Sequence, residues 1–230
     1  MSSKRRLIQA LFVPIALVSV LYGWFYLIQQ GSCSGCSSIE SFINIEGYVG
    51  MIADSIFRTL SHANQAHLES NSEIVLLSLM ILGAIQNWKI TSLQLLTAVI
   101  ASIGTYIVYP NVVGFSSAAY SIYTIGLLLY VGRLPTYFRK WKQIEAKTII
   151  GKCKQMEDEA IFIHILIIPF LNLSTWLMND VKIIFGYMSP SDVNFTYGTY
   201  SIESTEVHLI GVTIGIVIVV VSLVYKQKFS

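Results

Sequence analysis

The distribution of apolar residues constrains this chain more than any other feature of its sequence. They fall into long runs separated by polar or basic segments, whereas a soluble domain alternates apolar and polar residues. A helix needs about 20 mostly apolar residues to cross the hydrocarbon core of a bilayer. We therefore predict transmembrane helices at six segments. Their bounds are about Leu7 to Ile28, His67 to Trp88, Ile90 to Tyr109, Gly114 to Gly132, Ala160 to Met178 and Val207 to Tyr225.

The predicted fold is all-α, with residues 1–230 forming a single six-helix membrane domain. Membrane proteins keep Lys and Arg in their cytoplasmic loops. With the N-terminus inside, only Arg58 and Lys182 of the 15 basic residues lie on the outer side. Both termini are therefore predicted to face the cytoplasm. We expect a multi-pass protein of a prokaryotic cell membrane.

The N-terminal segment and the overall charge exclude several other classes. Lys4, Arg5 and Arg6 precede the first run as in a signal peptide. That run is too long for a signal sequence and has no small-residue cleavage site after it, so a retained anchor is expected. The net charge of +2 argues against a nucleic-acid partner. The lipid bilayer is the expected surrounding partner.

A pair of cysteines, Cys33 and Cys36, forms a C-x-x-C in the first outer loop. A zinc site usually needs a second such pair. The cysteines are therefore interpreted as a disulfide or as two free thiols. No metal and no small-molecule cofactor is expected.

Polar groups remain at the outer ends of the second, fourth and sixth predicted helices. Such groups are costly inside a bilayer and usually functional. The runs contain no mid-depth Asp and no H-E-x-x-H, which argues against aspartyl and zinc proteases. Asn71, Ser116 and His208 each precede the basic residue at the inner end of their helix by 17 or 18 residues. At 1.5 Å per residue this is about 26 Å, so all three are predicted just below the outer surface.

These residue types fit acyl transfer. A serine becomes a nucleophile when a base, usually histidine, takes its proton. The resulting oxyanion needs hydrogen-bond donors, and His67 and Asn71 share a helix face from which they can donate. The sequence places no aspartate where it would orient His208. A Ser-His dyad of Ser116 and His208 is therefore predicted.

Three motifs resemble those of the rhomboid family of intramembrane serine proteases, in the family's order. His62 to Asn71 resembles its H-x-x-x-x-H-L-x-x-N signature. Gly114 to Ser117 resembles its G-x-S-G motif, and His208 to Gly215 resembles its H-x-x-G-x-x-x-G. The resemblance covers the predicted six-helix core and implies a rhomboid-like bundle.

The resemblance implies a serine endopeptidase that cleaves transmembrane helices of membrane proteins near the outer face. In it, Ser116 is the nucleophile and His208 the general base. His67 and Asn71 are the oxyanion donors. The expected partners are therefore membrane proteins with transmembrane-helix substrates.

The resemblance also implies supporting residues. Tyr120 would stack on the catalytic histidine, Gly114 belongs to the nucleophile motif, and Gly211 and Gly215 would let two helices approach closely. The chain departs from the family at Ser117, which stands in place of a glycine. It also lacks the tryptophan that many members have in the first outer loop.

Two other function classes stay open at the level of sequence. One is a catalytically inactive relative that binds membrane helices in quality control or as a chaperone. The other is a small transporter or channel, which would need a polar path through the membrane. The inner halves of the second, fourth and sixth segments are almost wholly apolar, which argues against such a path.

Overall fold

The computed structural model describes residues 3–30, 47–62, 64–109, 112–145, 148, 158–192 and 202–229. Regular structure in these ranges is entirely helical, which confirms the all-α class. The main helices are α1 (Ser3–Gly23, continued by a π-helix at Trp24–Gln30), α2 (Gly47–Leu60), α3 (Gln65–Ile85), α4 (Trp88–Val108), α5 (Ser116–Gln143), α6 (Asp158–Asn172), α7 (Ser174–Ile184) and α8 (Ile202–Phe229). Cys33 and Cys36 lie outside the described residues.

Four helical stretches in the described part of the chain are long and apolar enough to cross a membrane. They correspond to the first, second, third and sixth predicted segments. Their bounds are Ile8–Leu27, Gln65–Ile85, Trp88–Val108 and Ile202–Val224.

The fourth and fifth predicted segments differ from these. α5 has 28 residues, but hydroxyl side chains are frequent near its start, which lowers its hydropathy. The fifth segment is divided by a turn at Leu173 between α6, which has only 15 residues, and α7. The Ser174 and Thr175 hydroxyls donate to the carbonyls of Leu171 and Asn172. Such side-chain bonds compete with helical ones and favour the break.

The central helix of the bundle is α3, most of which is buried. It packs against α1, α5 and α6, while α5 also contacts α4 and α8. The outer faces of α1, α4 and α8 expose large apolar residues such as Phe12, Leu93 and Val221. Apolar surfaces of this extent are unfavourable in water. The chain thus has the surface of a membrane protein.

Two glycines let α8 approach α5 closely. A Cβ atom on Gly211 would overlap the Ser117 carbonyl oxygen, and one on Gly215 would lie 2.6 Å from the Ser121 carbonyl oxygen. The Ser121 hydroxyl also lies 2.8 Å from the carbonyl oxygens of both Ser117 and Gly211. Backbone contact of this kind, typical of small-residue stripes, fixes α8 against the N-terminal part of α5.

Candidate active site

The first turn of α3 is fixed by its N-cap. Asn64 has an extended backbone, and its side-chain Oδ1 accepts a hydrogen bond from the His67 amide at 2.8 Å. An N-cap of this type satisfies one of the unpaired amides at a helix start. His67 therefore lies in the first turn, with Asn71 one turn later on the same face.

The turn before α5 requires a glycine. Gly114 has a φ of 116°, a conformation that side chains disfavour. Its amide donates to the Arg58 carbonyl at 2.8 Å, and its own carbonyl accepts from the Tyr106 hydroxyl. A Cβ atom on Gly114 would lie 2.6 Å from His67 Cε1 and 3.2 Å from Asn71 Nδ2. The Arg58 carbonyl of α2 and the Tyr106 side chain of α4 thus hold the turn against α3.

Ser116 is the first residue of α5, and its side chain is held by α3. The hydroxyl donates to Asn71 Oδ1 at 3.1 Å and lies 3.1 Å from His67 Nε2. Because a hydroxyl has one proton, its bond to Asn71 leaves the oxygen to accept from a protonated His67 Nε2. Asn71 Nδ2 is buried and has no hydrogen-bond partner among the described residues. The structure thus brings together three of the predicted site residues.

His208 is held by two different side chains. Its ring stacks on Tyr120 with centroids 4.2 Å apart and planes 5° apart, which is the contact that the resemblance implies. Its Nδ1 lies 3.2 Å from both carboxylate oxygens of Asp180, which is fully buried on α7. The expectation that no aspartate orients His208 is therefore wrong. The fifth predicted segment ends at Met178 and therefore leaves Asp180 in the loop that follows, whereas the helix after the turn at Leu173 extends through Asp180.

The two groups of contacts lie next to each other. Tyr120 is one turn after Ser116 on α5, so the ring of His208 lies against the turn of α5 that follows the serine. His208 is also close enough to His67 for their charges to interact. A direct contact between Ser116 and His208 stays a prediction.

A second buried histidine, His62, lies behind the site. Its ring packs edge to face on His67 with centroids 5.3 Å apart, and its Nδ1 lies 3.1 Å from the Leu60 carbonyl oxygen. Burial, and secondly the His67 charge, lower the pKa of His62 to about 3, although the Leu60 carbonyl opposes this. His62 is therefore neutral at physiological pH and donates from Nδ1, since a carbonyl can only accept.

Two residues of the site were missed by sequence reasoning. Tyr106 lies fully buried on α4 and supports the Gly114 turn, but nothing in its sequence context distinguishes it from a core tyrosine. Asp180 has one signal, which is a carboxylate two residues beyond the predicted end of a membrane helix at Met178. An acid so close to an apolar segment either faces water or needs a buried partner.

Comparison of the chain with protein-family models, with curated proteins and with solved structures found no match. A function for this site is therefore argued from its geometry and its chemistry, together with the motifs described above.

Proposed function

We propose that this chain is an intramembrane serine endopeptidase that cleaves transmembrane helices of membrane proteins near the outer face of the bilayer. The observation that carries this proposal is the Ser116 hydroxyl, buried at the N-terminus of α5 between His67 and Asn71. The neighbouring His208 is oriented by stacking and by a hydrogen bond. Nucleophile, imidazole and polar donors are the groups that acyl transfer requires.

The reaction follows from these groups. Ser116 Oγ bonds to the carbonyl carbon of the scissile peptide, and its proton passes to His208 Nε2. The carbonyl π pair moves to oxygen, and this oxyanion accepts hydrogen bonds from His67 Nε2 and Asn71 Nδ2. When the C–N bond breaks, His208 returns the proton to the leaving amine. Water then hydrolyses the acyl-enzyme through the same proton transfers.

The free donor of Asn71 supports its role toward the oxyanion. Its Oδ1 is engaged by Ser116, while Nδ2 is buried without a partner among the described residues. A buried donor left unsatisfied costs about 1–3 kcal/mol. An oxyanion formed beside Ser116 would recover this energy, so the donor would stabilise the transition state more than the resting enzyme.

The proposed membrane arrangement has six crossings, with α6 and α7 together forming the fifth, and both termini in the cytoplasm. The polar site groups lie at the N-terminal ends of α3, α5 and α8, which supports a site near one surface. Single cysteines at Ser189 and Gln143, both exposed, test this arrangement in a cysteine-free background. An impermeant thiol reagent added to intact cells should label Ser189→Cys and not Gln143→Cys. The reverse pattern would exclude this orientation.

Labelling with a fluorophosphonate tests the proposed nucleophile. The purified wild type should be labelled, and Ser116→Ala should not. Ser117→Ala is the matched control, because it removes a hydroxyl from the same turn and leaves Ser116 intact. In detergent, the wild type and Ser117→Ala should also cleave reporters from a panel of transmembrane helices. Ser116→Ala should not. Labelling that survives Ser116→Ala would refute the assignment.

One alternative is a catalytically inactive protein that binds membrane helices, as in quality control. The observation that favours it is the hydrogen bond from Ser116 to an amide oxygen, Asn71 Oδ1, which is not a base. Ser117, in place of the family's glycine, also favours it. This alternative predicts an unlabelled wild type that crosslinks to a transmembrane-helix reporter as well as Ser116→Ala does, without cleavage.

A further inference from the structure

We infer that Asp180 is a positioning residue for His208, so that the site works as a Ser116–His208–Asp180 arrangement instead of a dyad. This inference rests on the proposed function and adds to it a residue from α7. Asp180 touches neither the substrate nor the nucleophile in the proposed reaction. Its effect passes through the imidazole.

The contact between Asp180 and His208 determines which nitrogen carries the proton. Both carboxylate oxygens lie 3.2 Å from Nδ1, and an ionised carboxylate can only accept hydrogen bonds. Nδ1 is therefore the donor, and the lone pair of the neutral imidazole is on Nε2. This is the tautomer that takes a proton from serine.

The ring of His208 is constrained in two directions. Stacking on Tyr120 fixes its plane, and the carboxylate fixes which edge faces α7. A flip of the ring about its Cβ–Cγ bond would break the bond to Asp180 and leave a fully buried carboxylate without this partner. Burying an unpaired charge is costly. Nε2 is thus held on the edge that faces away from α7.

The position of Asp180 is set by its helix. Leu177 and Ile183 lie three residues before and after it, and both are at least partly buried in apolar packing. The three side chains share a face of α7, so the apolar pair anchors the helix and directs the carboxylate toward α8. His67 on α3 and Tyr120 on α5 also lie close enough to this pair to interact with it electrostatically.

Once Ser116 has given up its proton, the imidazolium has protons on both nitrogens. The nearby carboxylate stabilises this positive charge until the proton passes to the leaving amine. The proposed role therefore predicts two effects of Asp180, on the tautomer before the reaction and on the charge during it.

Comparison of Asp180→Asn with Asp180→Ala separates this role from packing. The asparagine amide can donate to Nδ1 and so stabilise the tautomer with its proton on Nε2, which cannot accept from Ser116. We expect Asp180→Asn to lower kcat roughly 10²- to 10⁴-fold with little change in KM, and at least as much as Asp180→Ala does. A purely structural role predicts the reverse, with the near-isosteric Asn close to wild type.

Glu203→Gln is the matched control for the loss of a charge, since it removes an exposed acid from the first turn of α8. This variant should keep the kcat of the wild type. A loss of kcat in Glu203→Gln as large as that in Asp180→Asn would contradict the inference.

Imidazole ¹⁵N spectra of the histidine-labelled protein test the tautomer independently of activity. The His208 signals, assigned by their loss in His208→Gln, should report a protonated Nδ1 in the wild type and a protonated Nε2 in Asp180→Asn. If the wild type neither cleaves nor labels, the proposed function fails while the spectra still decide the tautomer. If Ser116→Ala is inactive but Asp180→Asn matches the wild type in kcat and tautomer, the inference fails and the function stands.

Discussion

The α-carbon of Gly114 lies so close to the His67 ring that a methyl group there would come within 2.6 Å of Cε1. The backbone φ of 116° is also strained for any other residue. Gly114→Ala should therefore displace the imidazole or the turn that carries Ser116. We expect cleavage to fall by roughly 100-fold or more, since small misplacements of reacting groups are this costly. The rate of fluorophosphonate labelling measures the effect.

Gly104→Ala is the control for this substitution. Gly104 lies on α4 without a positive φ, and no neighbouring atom lies within 4 Å of the point that an alanine methyl group would occupy. Because alanine is the better helix former by about 1 kcal/mol, this variant should be as stable as the wild type or more so, and equally active. Equal activity of Gly114→Ala and Gly104→Ala would show that the contact with His67 does not position the site.

The two polar side-chain atoms of Asn71 have different proposed roles: Oδ1 accepts from Ser116, and Nδ2 donates to the oxyanion. Asn71→Ala removes both the acceptor for Ser116 and the proposed oxyanion donor. Loss of one such donor typically costs about 10²- to 10³-fold in kcat, and we expect a loss of this size with little change in KM. Steady-state cleavage of a transmembrane-helix reporter measures both constants.

Asn71→Asp provides the informative comparison. It retains an oxygen that can accept from Ser116 but replaces the Nδ2 donor with a second acceptor. If the amide stabilises the oxyanion, this variant should be at least as impaired as Asn71→Ala. A near-normal kcat in Asn71→Asp would instead assign to Asn71 only the role of holding the serine.

The N-cap of α3 links stability to activity. Asn64→Ala removes the bond to the His67 amide and should destabilise the protein by about 1 kcal/mol. Asn87 caps α4 in the same way, through the Lys89 amide at 2.8 Å. Asn87→Ala should therefore lower the stability by a similar amount, measured by unfolding in mixed micelles. Only Asn64→Ala should also lower cleavage, because only that cap positions a site residue; equal activity of the two variants would contradict this.

The sequence predicts some parts of this molecule better than others. The positions of α1, α3, α4 and α8 follow from apolar runs long enough to dominate other signals. The shared face of His67 and Asn71 follows from their spacing of four on one helix, and the common depth of Asn71 and Ser116 follows from counting residues along each helix. Both features depend on information that is local in the chain.

The contact between Asp180 and His208 is not local in this sense. It depends on a helix break at Leu173, where two hydroxyl side chains bond to nearby carbonyls. It also depends on the direction in which α7 leaves that break and packs on α8. Hydropathy alone gives one continuous segment there, so Asp180 falls in a loop. Tertiary packing brings the Asp180 carboxylate to His208. The periodicity of a single sequence does not reveal such packing.

His62 makes stability depend on pH in a defined window. Its pKa is lowered by burial to about 3 in the folded chain, against about 6.5 when unfolded. As the pH falls from 6.5 toward 3, the unfolded chain binds a proton that the folded chain does not, so stability is lost. The contribution is about 1.4 kcal/mol per pH unit within this window. Above pH 6.5 neither state is protonated, and no dependence on this group is expected.

His62→Gln removes this titration while its amide can still donate to the Leu60 carbonyl. The free energy of unfolding, measured in mixed micelles between pH 7 and pH 4, should therefore fall less steeply for His62→Gln than for the wild type. The difference in slope isolates His62 from the other groups that titrate in both proteins. Parallel slopes would mean that the imidazole of His62 takes up a proton without unfolding the protein.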